Sequence, residues 1–452
     1  MAPYIGVSLD TFTGIIGTIL AGIAVGAAVG GYLADRKDPI RLIAQALFFG
    51  GGLTWLSIPV VSVLGPELGS GPAAIVTLSA AAFLLPAAVL SGIGPMVAKL
   101  ELGSLEETGA VVGRLSAAST FGALVGTFGT GFILIALLPV RTIIVIVGAI
   151  LVLAGIAVFV TSGRARPGGP EIGAVVLAAV LGLVIQSPCD HTTDYYCVRI
   201  VADPVVGPDA RPGGRSLILD QLRHAHVDLD DPTFLDIRYI RLLADATESL
   251  PDGPLNVLHI GGGGFSLPRY ISAVRPGSTN VVLELDTDLV EIAENELGLT
   301  DADGLDIRTG DARLHLEDLP TNGFDLIIGD AFGADSVPWH LTTVEVVEEI
   351  DRLLHQDGLF AMNLIDGNES RFARSQLATI NEVFEELSIV LPTEGIPDIR
   401  VNQILLASHI DTPTLSIAVE DGEQFSGQAV TDFIGDAMVL TDNFAPVDQL
   451  LP

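Results

Sequence analysis

NVLHIGGGGFSLPRY, residues 256–270, is the stretch on which the reading of this chain turns. A short apolar run stops at four consecutive glycines, Gly261, Gly262, Gly263 and Gly264, and gives way to a helical pattern with Pro268 in its first turn. An apolar run of that length bounded by glycine reads as a buried strand, and proline is tolerated where a helix has only begun. Glycines at such a joint permit a tight turn and let a ligand approach the backbone. Taken alone the turn is weak evidence. In a G-x-G-x-x-G register its sixth position is Ser266, which speaks against a dinucleotide fingerprint.

Downstream the pattern repeats. VVLEL (281–285), LDIRTG (305–310), FDLIIGD (324–330) and GLFAMNLI (358–365) are short apolar runs, each followed by helical periodicity. That alternation predicts a mainly parallel sheet covered by helices on both faces, a Rossmann-like α/β domain. Upstream, YYCVRIV and RSLILD between Tyr195 and Asp228 predict a small N-terminal β-hairpin region, and residues 233–248 a linking helix.

Ligands of such sheets bind beyond the carboxyl ends of the strands, so the residues there are the candidates. Glu284, twenty residues past Gly264, can accept both hydroxyls of a ribose, or be a solvated strand-end acid. Asp311, in Gly310-Asp311-Ala312, can accept an adenine amino group or cap a helix. Asp330 can orient or deprotonate an attacking amine, the general-base task of an alkyl transfer. His340, ten residues on, either assists it or caps the helix near Thr342.

Still further upstream the chain changes character. Up to residue 187 it is a succession of long apolar runs, at about 12–33, 40–64, 72–97, 115–138 and 142–160, with a shorter sixth at 172–185. Roughly 20 apolar residues span a bilayer core, so a domain of about six transmembrane helices is expected over 1–187, with the β region and linking helix at 188–254 and the Rossmann-like domain at 255–452. The runs repeat and lack a cleavage pattern, which sets them apart from signal peptides. Gly22, Gly26 and Gly30, and again Gly122 and Gly126, recur at four-residue spacing that lets helix backbones approach in lipid. Ionisable residues are almost missing from the runs, so an anchor or scaffold is a simpler reading than a transport path.

Charge divides at the same place. Residues 1–187 hold eight basic and eight acidic side chains, leaving 14 basic and 47 acidic ones beyond them, so the whole formal charge of −33 lies on the C-terminal half. Such a surface repels nucleic acid and anionic headgroups. Only two lysines occur, Lys37 and Lys99, a composition like that of extreme halophiles. With six spans, Arg36, Lys37, Arg41, Lys99, Arg114, Arg164 and Arg166 share one side against Arg141 alone, which makes that side cytoplasmic and puts the acidic domain outside. Should the sixth run not span, the domain is cytoplasmic. Cys189 and Cys197 form a disulfide in an oxidising exterior, or remain two buried thiols.

These motifs together resemble spermidine synthases, and the whole chain resembles the branch in which membrane helices are fused to such a domain, in a haloarchaeal style. The resemblance covers nearly all of the chain: APYIG and GGYLADR in the membrane half, then LDQLRHAHVDLDDPTFL, HIGGGGFSLPRY, ELD, GDAR, GDAF with VPWHLTT, and LTDNFAPVD. In that branch a further hydrophobic helix usually precedes the APY segment, so an N-terminus truncated or assigned too late is expected.

The resemblance implies a class I methyltransferase-type fold and aminopropyl transfer from decarboxylated S-adenosylmethionine to a small-molecule amine acceptor, with no metal. It implies Gly261–Gly264, Glu284, Asp311 and Ala312 for the cofactor, Asp330 and His340 for catalysis, and Tyr196 and Tyr239 for the substrate. The expected surroundings are the lipid bilayer of a cell membrane, with a homo-oligomer left open. Departures from the family pattern are specific. Gly264 stands where the enzymes have an aspartate for the aminopropyl amine, Tyr196 replaces a glutamine, Ile240 a histidine, and Gly333 a second acid. A diammonium substrate needs carboxylates to offset its desolvation, so these losses weaken polyamine binding. Two alternatives follow: a methyltransferase using S-adenosylmethionine, or a catalytically silent ligand-sensing domain on a membrane scaffold or transporter.

Overall fold

The computed structural model of the chain describes residues 1–5, 9–68, 71–102, 108–163, 168–185, 188–204, 211–331, 337–392, 401–416 and 422–451. Arg164, Arg166, Ser187 and Gly333 of the sequence reading lie outside them. The chain divides into two compact units, Met1–Asp194 and Tyr195–Pro452, a few residues beyond the division expected at 187. Neither cysteine is a free thiol.

In the first unit five helices are long and apolar enough to cross a membrane: α1 (Asp10–Ala34), α2 (Pro39–Leu68), α3 (Pro72–Glu101), α4 (Thr108–Leu134) and α5 (Val140–Ser162). A sixth, α6 (Gly169–Val184), has 16 residues. Helix α3 widens into a π turn at Ala80–Leu84, just before Pro86, which has no N–H to donate. The glycines of α1 act as their spacing predicts. A Cβ on Gly22 would stand 2.9 Å from the Ala87 Cβ, one on Gly30 would stand 2.5 Å from the Gly92 carbonyl oxygen, and one on Gly26 would run into the Ala88 carbonyl. Helices α1 and α3 therefore meet backbone to backbone. Gly122 and Gly126 on α4 do not behave this way. A Cβ on either meets nothing within 4 Å, because α4 faces outward over most of its length, with Phe121, Phe128 and Phe132 exposed. Small-residue spacing shapes a helix face, but only a neighbour makes that face a contact.

The second unit opens with three antiparallel strands, β1 (Cys197–Ala202), β2 (Gly214–Leu219) and β3 (Leu222–Asp228). Helix α7 (Arg238–Glu248) follows, and it begins later than the 233 expected. Asp231 accepts hydrogen bonds from both the backbone N–H and the hydroxyl of Thr233, a local turn that competes with helix at that point.

The main sheet contains β4 (Asn256–Ile260), β5 (Thr279–Glu284), β6 (Leu305–Thr309), β7 (Phe324–Gly329), β8 (Leu354–Asp366), β9 (Glu386–Pro392), β10 (Val401–Ser408) and β11 (Gly422–Ser426). Across the sheet their order is β6-β5-β4-β7-β8-β10-β9-β11. The first five are parallel, as the sequence pattern requires, whereas β10, β9 and β11 add an antiparallel extension. Side chains alternate along β4: Leu258 and Ile260 pack with Leu283 and Ile327 on one face, and Val257 with Leu326, Ile328 and Ile271 on the other. Both faces are thus buried under α8 (Ser266–Val274), α9 (Thr287–Glu296), α10 (Ala312–Leu316), α11 (Val344–Leu353) and α12 (Arg371–Ile380). Strand β4 lies at the switch point, with β5 and β6 to one side and β7 and β8 to the other, and its carboxyl end opens the crevice where ligands of such sheets bind.

Candidate functional site

The glycine turn at the end of β4 is shaped by its neighbours. Gly261 has φ +104, and a Cβ there would run into the carbonyl of Asp330, because the Asp330 N–H donates to the Ile260 carbonyl at 2.9 Å and clamps the end of β7 against β4. Gly263, at φ +51, borders open space in which a side chain would otherwise stand. Gly264 is confined from the other side, since a Cβ on it would lie 2.5 Å from that of Ala225, with Val227 and Leu217 beyond. Strand β3 of the small sheet therefore packs directly on the turn.

Glu284 points at this turn. Its Oε2 accepts the N–H groups of Gly262 and Gly263 at 2.9 and 3.0 Å, and its Oε1 accepts that of Asp286 at 3.0 Å. Burial pushes its carboxyl above the usual range, against the lowering effect of those three donors. Tyr196 stands near Glu284, Asp286 and Asp220, and burial followed by those acids raises its phenol strongly.

At the neighbouring strand end, Asp311 caps α10 by accepting the Arg313 N–H at 2.9 Å, while its other oxygen lies 3.3 Å from His340 Nε2. Of the two sequence readings of Asp311, the helix cap is the one seen here, and its second oxygen stays half-exposed. Ala312 is buried behind it. Arg313 is gripped by Asp442 through two oxygens, at 2.7 and 2.5 Å, which ties the C-terminal segment to this rim.

A cavity of about 230 Å³ lies beside the turn, lined by Gly261–Gly264, Asp330, Tyr239 and residues of β3. Asp330 Oδ1 accepts from Asn363 Nδ2 at 2.8 Å, and Asn363 Oδ1 accepts from Asn402 Nδ2 at 3.0 Å. The Tyr239 hydroxyl is within reach of Asp330 and of the His224 carbonyl, 3.0 Å away. Burial raises Asp330 to about 6, outweighing the Asn363 and Tyr239 hydrogen bonds. A base of that strength sits near neutral pH and suits proton acceptance from an amine.

The structure therefore gathers Gly261–Gly264, Asp330 and Tyr239 around one cavity. Glu284 adjoins it through the turn, whereas Asp311, His340 and Tyr196 stand outside its wall. Sequence reasoning missed Asn363, Asn402 and His224. The signal for Asn363 was present, a polar residue in the middle of the apolar run GLFAMNLI, while nothing in the local pattern marks the other two.

No family model matches the chain. The polyamine aminopropyltransferase of Vibrio vulnificus (strain CMCP6) is 26% identical over 216 residues, 44% of this chain and 70% of that protein. The eEF1A lysine and N-terminal methyltransferase of Danio rerio is 29% identical over 164 residues, 34% of this chain and 23% of that much longer protein. Among solved structures, a probable spermidine synthase from Corynebacterium glutamicum ATCC 13032 superposes with a TM-score of 0.52 at 25% identity, covering 57% of this chain and 97% of its own. The second unit is thus spermidine-synthase-like, on a Rossmann-like, methyltransferase-type fold, and its similarity extends to methyltransferases over a shorter stretch.

Proposed function

We propose that the second unit is a transferase that uses an S-adenosyl-type cofactor to move an alkyl group, in the first instance aminopropyl, to a small amine, and that the first unit anchors it in a bilayer. The observation that carries the reading is Asp330, a buried carboxylate raised to about 6 at a strand end, in one cavity with a glycine turn that leaves room for a ligand. Glu284 would hold the ribose, Asp311 and Ala312 the adenine, and the open face of Gly263 the chain leading to the sulfur. Such a cofactor supplies an electrophilic carbon bonded to a sulfonium. The protein's part is to bind and orient both reactants and to take the proton lost by the amine onto Asp330, which Asn363 and Tyr239 keep aimed at the cavity. His340, paired with Asp311, serves the adenine end in this reading.

Calorimetry on the purified full chain in molar salt tests it. Binding of 5′-methylthioadenosine is expected, with Asp330→Asn keeping that binding while losing turnover. Absence of heat with folded protein would sink the proposal.

Methyl transfer is the second reading, and one observation favours it. The carboxylate that would recognise an aminopropyl amine has no room at position 264, because Ala225 occupies the place of its Cβ. Tighter binding of S-adenosylmethionine than of its decarboxylated form would select methylation. We propose from the loop charges that this unit lies outside the membrane. Labelling of an engineered surface cysteine by an impermeant reagent on intact cells supports that placement, and protection from the reagent reverses it.

A further inference from the structure

One wall of the cavity carries a group for which the transfer chemistry above has no use. His224, on β3, lines the same cavity as the glycine turn, and its buried Nε2 has no hydrogen-bond partner within the protein. Burial lowers its imidazole to about 4, so the ring is neutral at any ordinary pH. Leaving a buried polar atom unpaired costs about 1–3 kcal/mol, and folded proteins keep few such atoms without a reason.

Most other polar side chains of the lining are already engaged. Arg223 is paired with Asp236 at 2.6 Å, His259 Nε2 lies 3.0 Å from Asn280 Oδ1, and Asn363 and Asn402 hold Asp330 in place. Among the described lining residues Asp330 is the one carboxylate. Position 264, from which a second acid could project, is closed by Ala225, Val227 and Leu217. A diamine reaches the protein as a dication, and each ammonium drawn out of water needs an anionic partner. Among its described residues this cavity provides one.

We propose that the acceptor has a single cationic centre and a second, uncharged polar group that hydrogen-bonds His224 Nε2, so that an amino alcohol fits where a diamine does not. The inference rests on the transferase reading. In the step it implies, Asp330 takes one proton from the ammonium, and the freed amine nitrogen forms a bond to the carbon beside the sulfonium as the carbon–sulfur bond breaks. That bond's electron pair stays on sulfur, which leaves as a thioether, and the product amine keeps its remaining two protons as a secondary ammonium.

The probes are 4-aminobutanol, putrescine and butylamine, of matched length, offered to the full chain in molar salt with decarboxylated S-adenosylmethionine and separately with S-adenosylmethionine. The expected order of kcat/KM is 4-aminobutanol, then butylamine, then putrescine, with at least tenfold between the first and the last. His224→Ala should raise KM for 4-aminobutanol on the order of tenfold, the worth of one hydrogen bond, and raise that for butylamine far less. His224→Gln, which keeps a hydrogen-bonding group, should recover most of the loss. Binding of 5′-methylthioadenosine to each variant reports that the unit is folded. Putrescine used as well as 4-aminobutanol, equal KM effects of His224→Ala on both monoamines, or no turnover of any probe by protein that binds 5′-methylthioadenosine would each overturn the proposal. Failure of the wild-type chain to bind 5′-methylthioadenosine would instead remove the transferase reading beneath it.

Discussion

Adding a single methyl group at Gly264 tests how the small sheet and the glycine turn share their space. In Gly264→Ala the new Cβ stands 2.5 Å from the Ala225 Cβ, against the roughly 3.5–4.0 Å at which two carbons rest. Neither atom can swing away, since each is bonded directly to backbone, so β3 and the turn must separate by about an ångström. Overpacking of this kind costs about 1–3 kcal/mol. For a unit of this size that lowers Tm by roughly 2–4 °C per kcal/mol. Ala225→Gly removes the opposing methyl and by itself costs roughly 0.5–1 kcal/mol in a strand. The double variant should therefore recover most of the Gly264→Ala loss, giving a coupling energy of about 1–2 kcal/mol in a double-mutant cycle read by thermal unfolding of the full chain. Strict additivity of the two changes would refute the close packing of β3 on the turn, and with it the steric argument against an acid at position 264.

Other outcomes follow from the same geometry. Asp330 has a folded value near 6, above its unfolded one, so its contribution to stability is present at low pH and lost as pH rises through about 6. Asp330→Asn should accordingly stabilise the second unit at pH 7.5 by up to about 3 kcal/mol and have little effect near pH 4, as followed by denaturant titration at the two pH values. As a general base the same group should make kcat/KM of the wild-type chain climb with pH, half-maximal near 6, and an acid-side plateau in the pH profile would contradict its role. Glu284→Gln sets an amide N–H₂ against backbone donors and should weaken 5′-methylthioadenosine binding on the order of a hundredfold by calorimetry, with a loss of about 2–3 kcal/mol in stability. In the first unit, Gly26→Val should destabilise the protein in detergent, whereas Gly122→Val should pass unnoticed; equal melting shifts would contradict the different packing of α1 and α4.

The parallel core was legible because its signals are local. Each of the five runs carries its own apolar stretch; Glu284 ends its strand, and Asp311 and Asp330 follow theirs within two residues. The antiparallel extension was not. Strands β9 and β10 have apolar runs of their own, but the order in which they enter the sheet depends on pairings with β8 and with each other that no short-range period encodes. The start of α7 was misjudged because Asp231 turns the chain before the helical pattern takes hold. Gly122 and Gly126 misled for the opposite reason, since spacing describes one helix and contact needs two. The cavity itself was hidden: Ala225 and Gly264 are far apart in the chain, and only the folded unit lays β3 across the turn. His224 was invisible on the same account.

In the proposed reading Glu284 holds two appointments at once. The carboxylate assigned to the nucleotide already fastens Gly262, Gly263 and Asp286, so the turn has its shape before any ligand arrives and little ordering remains to be done on binding. The same economy removes a degree of freedom: affinity and loop rigidity cannot be adjusted separately through this side chain. Under the proposed transferase reading, engineering that aims to loosen nucleotide binding while sparing the scaffold would work through His340 instead.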